Sequence, residues 1–502
     1  MGIYSITEAA MAGLNIAQAG ILTTSQNVAG TSIEGYSRRS ANVTMDSLAP
    51  NSLMHNGSSF AVEGFTRQYS SLLNGQLLNQ QAKSSYSETL VQYTRTIDSL
   101  VADKSTGLNT AIGNFFNAVG AYAADPTNKA MAGAISGTAN AVAQRMSGMS
   151  TLTTQLQSDA RKGLVDTVAQ ANTLLPALAS INQKIVNATS PGNTAPSADL
   201  LDERDRLLSQ LQKLVGGQSL INSDGTATQL VAGMPLVERA IANKITINSD
   251  FEHVALTFNL QNGPDKGVLT TVQNLDSGQA GALLKIANEF VPSINRQLDT
   301  IALGLVKVAN SAARTPAAIA AGTGTSLAIF GFKVGSTTYS SLATLDPTGG
   351  IPEITSDANM TAIYQSLASP ANLLTASGLK ASNFISIAPS NFLQYFTGAV
   401  DGGDPLITSD KANTLQQLST VFASSASNFV NEVGVQVATW KSNQKADSVV
   451  LATLKSQRDS ISGVSLDEEA ANLLKYQQMY TASTKVLQAG NQMFNTLLSI
   501  MN

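Results

Sequence analysis

Apolar residues recur at helical spacing along most of this chain and give way to alternation in one stretch only. At the N-terminus Ile3, Ile6, Ala10, Gly13, Ala17, Ile21 and Val28 fall on one stripe, with Leu14, Ile21 and Val28 at seven-residue steps. At the C-terminus the stripe is Leu466, Ala470, Leu473, Tyr480, Leu487, Phe494, Leu498 and Met501. Both segments carry little fixed charge, so each needs an apolar partner: the other terminus or a neighbouring subunit. Glycines and threonines weaken them as isolated helices, which predicts that residues before about Asp46 and after about Ser465 become ordered on assembly.

Between the ends the spacing predicts long helices. Phe65 to Asp103 carries Leu90, Tyr93, Ile97 and Leu100 on one face, and Ala141 to Asn187 carries Leu164, Val168, Ala171, Leu175 and Leu178, with Pro176 predicting a kink or break. Ile294, Leu298, Ile301, Leu305 and Val308 keep a strict stripe, as do Leu415, Leu418, Phe422, Phe429, Val433 and Trp440. Two insertions interrupt this pattern. Gly216 to Asn274 alternates at Val254, Leu256, Phe258 and Leu260 between turn signals at Ser223-Asp224-Gly225 and Asn262-Gly263-Pro264. Ala313 to Asp404 is rich in Gly, Ser, Thr and Pro, with a strand pair near Ile329 to Tyr339 and short helical pieces near Met360 to Leu367. The predicted fold is mainly α with β insertions, elongated and multi-domain. Residues 1–46 and 462–502 form terminal coiled-coil helices, and residues 47–215, 275–312 and 405–461 a long helical bundle. Residues 216–274 form a small β subdomain and residues 313–404 a mixed outer domain.

The chain's 502 residues exceed one ordinary core. Aromatic residues make up only 5% and charged residues 13%, so helices must meet through Ala, Ser, Thr and Leu. The net charge of −4 supplies neither a basic stripe for nucleic acid nor a polybasic membrane anchor. There is no cysteine, which removes disulfides, thiol catalysis and cysteine metal sites. No run reaches the roughly 18 apolar residues of a membrane span, and the first residues lack the basic region and cleavage site of a secretory signal.

Catalytic and metal motifs are not apparent, and no cofactor is expected. Of the two histidines, His55 sits in a Met-Asn-Gly-Ser loop without a second ligand at metal spacing, and His253 reads as an exposed residue of the alternating strand. Asp202 and Asp205 beside Arg204 and Arg206 read as a solvated ion-pair face. Asp467 to Glu469 read as a capping box, in which Ser465 caps the helix and Glu468 reaches back to the cap amide.

Three blocks carry a family resemblance. Asn27-Val28-Ala29-Gly30, four loose positions and Gly35-Tyr36-Ser37-Arg38 resemble the signature of the axial proteins of the bacterial flagellum, with Gly30 standing where a second Asn is usual. Ser462 to Leu473, running on through Tyr476-Gln477-Gln478-Met479-Tyr480 to Phe494, resembles the last helix of the hook-associated protein 1 family. Leu200-Leu201-Asp202-Glu203-Arg204-Asp205-Arg206 looks like that family's mid-chain helix. The resemblance implies a non-enzymatic structural subunit at the junction of hook and filament, part of an extracellular flagellum and exported through the flagellar type III apparatus without a cleaved signal. It implies self-assembly into a ring, contacts with the hook protein and with hook-associated protein 3, and an export chaperone on the C-terminal helix. The expected assembly interface comprises Leu14, Ile21, Asn27, Val28, Gly35, Tyr36, Leu473, Tyr480, Leu487, Phe494 and Leu498. A distal rod or hook subunit is the alternative, set apart by mainly β outer domains. A hydrolase or adhesin carried on an axial scaffold is the reading from another class.

Overall fold

The computed structural model describes residues 3–33, 35–46, 59–102, 107–125, 127–189, 197–249, 253–260, 269–312, 329–334, 337–339, 380–386 and 409–501. The chain opens with α1 (Ile3–Gly30) and then a hairpin of β1 (Arg39–Asp46) and β2 (Ser59–Arg67). Four helices follow: α2 (Ser71–Ala102), α3 (Leu108–Ala124), α4 (Lys129–Ala188) and α5 (Ala198–Val215). Strands β3 (Gln218–Ile221), β4 (Ala227–Val231), β5 (Met234–Glu238) and β6 (Ile241–Ala242) make one antiparallel sheet. A second contains β7 (Lys244–Ser249), β8 (Val254–Asn259) and β9 (Leu269–Val272). The chain returns through α6 (Gly278–Lys285), a π turn at Ile286–Phe290 and α7 (Val291–Ala312). Short strands β10 (Phe330–Val334), β11 (Thr337–Tyr339) and β12 (Phe384–Ser386) precede α8 (Ser409–Gln417), α9 (Ser419–Ser462) and α10 (Leu466–Met501).

The long helices set an elongated shape. With 60 residues, α4 is about 90 Å long at 1.5 Å per residue. Asn128 caps it, accepting from the Ala130 N–H at 3.0 Å. It runs through Pro176 without the expected break. Leu175 and Leu178 on either side of the proline are buried, so tertiary packing holds the helix where one backbone bond is lost. The bundle helix expected from Phe65 begins instead at Ser71. Residues 65–67 belong to β2, whose pairing with β1 places Ala41 across from Phe65 and Val43 across from Val62. The α7 stripe is buried as read, and so are Leu415, Leu418, Phe422, Phe429, Val433 and Trp440. β8 is covered on both faces, since Ala255 and Thr257 are buried along with Val254, Leu256 and Phe258. His253 is exposed just before it; His55 and the helical pieces expected near Met360 to Leu367 lie outside the described residues.

A cluster of phenylalanines sits where the outer segment leaves the bundle. Phe115 packs edge-on against Phe116 and Phe330, both at 5.2 Å; Phe330 stacks on Phe384 at 5.0 Å, and Phe116 on Phe422 at 5.6 Å. Buried polar groups pin the same place. Asn310 accepts from the Ile329 and Phe330 N–H groups and donates to the Phe330 carbonyl, while Asp299 accepts from the Ala381 N–H at 2.5 Å. Burial pushes the Asp299 carboxyl up to about 6, against the Ala381 N–H and Lys380, which pull it down. Its folded pKa therefore exceeds the unfolded value of 3.8. The stability it contributes is fully present below about pH 4 and lost as pH rises to about 6. Asp299→Asn is expected to flatten that slope and to raise the thermal midpoint at pH 7, by an effect on the order of 3 kcal/mol at most. Thermal melts of both proteins at pH 4.5 and pH 7 check this, and an unchanged slope would show that Asp299 stays ionised.

Candidate assembly interface

Two terminal helices with hardly any charge find each other within the chain: α1 packs antiparallel along α10. Of the two partners the pattern left open, the other terminus is the one this structure shows. The register repeats every seven residues through small side chains. A Cβ at Gly13 would lie 2.5 Å from Ser483 Oγ, and one at Gly20 would run into the Tyr476 ring. Two turns farther Asn27 meets Glu469, and at the opposite end Gly490 faces Thr7. Ala10, Ala17 and Thr24 are buried along the same seam. The glycines expected to weaken these helices are thus the positions that let them approach.

This seam is offset from the stripes read in the sequence. Leu14 and Ile21 are half-buried beside it, and Val28 is 43% exposed. On α10 the close contacts are Glu469, Tyr476, Ser483 and Gly490, while Leu473 and Leu487 are half-buried and Tyr480, Phe494 and Leu498 are exposed. On α10, Glu469, Tyr476, Ser483 and Gly490 and, four residues on, Leu473, Tyr480, Leu487 and Phe494 are the two positions of one heptad, while Leu498 falls outside both. All four contact residues lie off the stripe read in the sequence: Glu469, Ser483 and Gly490 do not register as apolar, and Tyr476 stands four residues before Tyr480, on the other heptad position.

Where the seam ends, the Asn27-to-Arg38 segment folds into a clasp. The Asn27 side chain accepts from Tyr36 Oη at 3.0 Å and from the Arg39 N–H at 2.9 Å, and donates to the Arg39 carbonyl at 2.9 Å and to Glu469 Oε2 at 3.1 Å. All four of its amide bonding positions are used, and the residue is buried. Gly35, at φ +91°, makes the turn that sends Tyr36 back over the helix end. Gly30 leaves room for that ring, since a Cβ there would sit 2.6 Å from it. Burial pushes the Tyr36 hydroxyl up, offset by Arg39, so it stays the donor to Asn27. Arg38 then bridges to Glu469 Oε1 at 2.8 Å and Glu468 Oε2 at 2.6 Å, and its N–H bonds to the Ser462 carbonyl at 2.9 Å. This corrects the capping box. Ser465 does accept from the Glu468 N–H, at 3.5 Å, but the Glu468 carboxylate turns to Arg38, and Glu469 is 1% exposed inside the clasp.

A second ionic layer continues from Arg39 into the bundle. Arg39 Nη2 meets Asp199 at 2.5 Å and Asp202 at 3.2 Å, and Arg67 Nη1 meets Asp202 at 2.7 Å and Asp205 at 3.1 Å. Arg204 binds Asp205 Oδ1 and donates to the Gly225 carbonyl in the β3–β4 turn. The solvated ion-pair face expected here is instead largely buried: Asp202 and Asp205 expose 12% and 10% of their side chains, Arg67 7% and Arg204 2%. Burial alone would lower the Arg67 pKa, but Asp205 and Asp202 hold it above its ordinary value. Three arginines balance three aspartates across α5, both hairpin strands and the β3–β4 turn. Spacing along α5 could not show it, because the partners come from elements more than 130 residues away. Among the described residues no group of His, Asp and Glu is placed to hold a metal, and no helix is long and apolar enough to cross a membrane.

Comparison with known proteins gives a consistent result. A family model described as the flagellar hook-associated protein FlgK helical domain matches residues 94–327, and one described as the flagellar basal body rod FlgEFG protein C-terminal matches residues 455–500. Flagellar hook-associated protein 1 of Salmonella typhimurium is 26% identical over 99% of this chain and 100% of its own length. Its namesake in Bacillus subtilis is 22% identical over 98% of this chain and 97% of its own. The solved flagellar hook junction protein FlgK of Burkholderia pseudomallei overlaps 52% of this chain and 47% of its own, at 22% identity and a TM-score of 0.44.

Proposed function

The chain belongs to the flagellar hook-associated protein 1 family, and from that premise we propose how it works as a structural subunit at the junction between hook and filament. It is a component of the bacterial flagellum that assembles with other flagellar parts such as the hook. The observation that carries the mechanism is the clasp. It ties the paired terminal helices to the hairpin and to α5 through Asn27, Arg38, Arg39, Glu469 and Asp202, so a load on the inner helices passes directly to the bundle. In this reading α1 and α10 line an inner tube, the bundle forms a shell around them, and the segment based on the Phe115–Phe330–Phe384 cluster lies outermost. Head-to-tail contacts at a fixed rotation close into a ring or continue as a helix.

The finer partners follow from the same premise. Hook-associated protein 3 would stand on the filament side, and an export chaperone would hold α10 before secretion through the flagellar type III apparatus, an amphipathic helix being suited to an apolar groove. The assembly residues are Leu14, Ile21, Asn27, Val28, Gly35, Tyr36, Leu473, Tyr480, Leu487, Phe494 and Leu498: Asn27, Gly35 and Tyr36 belong to the clasp, Leu14, Ile21, Leu473 and Leu487 are half-buried beside the seam, and Val28, Tyr480, Phe494 and Leu498 are exposed. The rod-or-hook alternative loses ground to relatives that match end to end under the hook-associated name. No catalytic role is assigned to any residue. Electron micrographs of a strain lacking this gene test the reading: hooks without filaments are expected, with filaments restored by the intact gene. Normal filaments in that strain would refute it.

A further inference from the structure

Behind the clasp, between the Gly35–Ser37 turn, α2, α5 and α9, lies a cavity of about 250 Å³. Three of the side chains that line it are more than nine-tenths buried and keep hydrogen-bonding capacity that the protein does not use: Ser37 is 7% exposed, Ser462 5% and Gln81 6%. Among the described residues neither the Ser37 nor the Ser462 hydroxyl has a hydrogen-bond partner. Gln81 accepts from Ser209 Oγ at 2.7 Å through Oε1, which leaves its amide Nε2 with protons to give. Buried donors are costly to leave unmatched, so a cavity lined by three of them suits a polar guest. The walls set the charge of that guest. Arg206 and Lys213 of α5 and Lys455 and Arg458 of α9 stand there against Asp205 and Asp459. Both acids are engaged, Asp205 by Arg67 at 3.1 Å and Arg204 at 2.6 Å, and Asp459 by Arg458 at 2.6 Å. Arg206 is held by Glu203, while Lys455 has no ion pair among the described residues. The N-terminal end of α2, where Ser70 Oγ accepts from the Leu73 N–H at 3.4 Å, turns the positive end of a helix dipole to the same space. The carbonyl end of α9 opposes it, but the Ser462 carbonyl is already taken by the Arg38 N–H at 2.9 Å.

We propose that this cavity is a binding site for a small tetrahedral oxyanion of the phosphate class. The oxygens of such an ion accept from both hydroxyls and from the Gln81 amide together, and the exposed Lys455 supplies the counter-charge, a combination that neither a halide nor a neutral molecule matches. The volume lies below the roughly 300 to 1,000 Å³ of pockets for drug-sized molecules, so a compact ion fits better than a nucleotide. Bound through Ser37, Gln81, Lys455 and Ser462, the ion links the signature turn to α2 and α9 and tightens the joint at which the terminal helices meet the bundle.

The site is tested on the purified full-length chain, so the outcome does not depend on its place in the flagellum. Titration calorimetry with sodium phosphate, at an ionic strength held constant with sodium chloride, is expected to show one site per chain with a Kd on the order of 1 mM. Lys455→Gln should weaken binding about fivefold and Ser37→Ala with Ser462→Ala about tenfold, whereas Lys455→Arg should bind like the wild type. Circular dichroism checks that each variant folds, and if the serine pair does not, the two changes at exposed Lys455 decide alone. A parallel titration with citrate separates a tetrahedral ion from a polycarboxylate: tighter binding of phosphate is expected, and binding of citrate alone would overturn the assignment. No saturable heat with about 20 mM phosphate, some twentyfold above the expected Kd, would show that water alone fills the cavity. Phosphate binding that Lys455→Gln and the serine pair both leave unchanged would place the ion elsewhere and overturn the proposal equally.

Discussion

Arg67→Leu is expected to destabilise the clasp end of the bundle by about 3 kcal/mol, the largest single-residue loss of stability anticipated in this chain. Arg67 sits between Asp202 at 2.7 Å and Asp205 at 3.1 Å with 7% of its side chain exposed, so its loss removes a cation from a nearly dry cluster. Asp202 would keep only the longer contact to Arg39, and Asp205 would keep Arg204. A surface pair would give at most about 1 kcal/mol, so the size of the effect decides whether the cluster is buried in solution as it is here. The decisive measurement is a double-mutant cycle of Arg67→Leu with Asp202→Leu, followed by thermal denaturation. A coupling of 2 kcal/mol or more is expected, since the double variant replaces two charges that stabilise each other with apolar groups. A coupling below about 0.5 kcal/mol would mean that water replaces Arg67 at no cost. Limited proteolysis gives a second reading: with Arg67 gone, the hairpin should be cut before α4 or α5.

What could be read from the sequence and what could not divide along a physical line. The long helices were legible because stripes such as Ile294, Leu298, Ile301, Leu305 and Val308 are buried as spaced. The β1–β2 hairpin was not assigned, although Ala41, Val43 and Met45 alternate with Ser40, Asn42 and Thr44. A period of two over eight residues was masked by the signature motif before it. Of the kink or break expected at Pro176, the break does not occur, because one proline costs less than the burial of the turns around it. The clasp was hidden for another reason. Asn27, Tyr36 and Glu469 each have a satisfactory local explanation, as a helix stop, an amphipathic turn residue and a capping acid. Only the antiparallel register, which sets Gly13 against Ser483 and Gly20 against Tyr476, brings residue 27 to residue 469. The resemblance named the right ends of the chain and left open what joins them.

Phe494→Asp is expected to leave the isolated chain's stability unchanged within about 0.5 kcal/mol and to abolish filament attachment. The register explains why the two outcomes part. With Gly13 across from Ser483 and Gly20 across from Tyr476, Ile3 stands across from Met493, so Phe494 and Leu498 extend past the described start of α1. Phe494 continues the Leu473, Tyr480 and Leu487 heptad position, Leu498 lies one turn beyond it, and the two are 52% and 47% exposed. A carboxylate placed there in the free chain stays in water at little cost. Once a chaperone or a neighbouring subunit covers the overhang, the same carboxylate must be desolvated without a partner, at a cost on the order of 2 to 5 kcal/mol. That is enough to lower an affinity by about thirtyfold or more. Thermal melts of the purified chain, calorimetry with the chaperone and a motility assay read stability, chaperone binding and filament attachment separately. A lowered melting midpoint would show that Phe494 is buried within the chain after all. Normal chaperone binding together with normal motility would show that the overhang of α10 is not the surface the partners use.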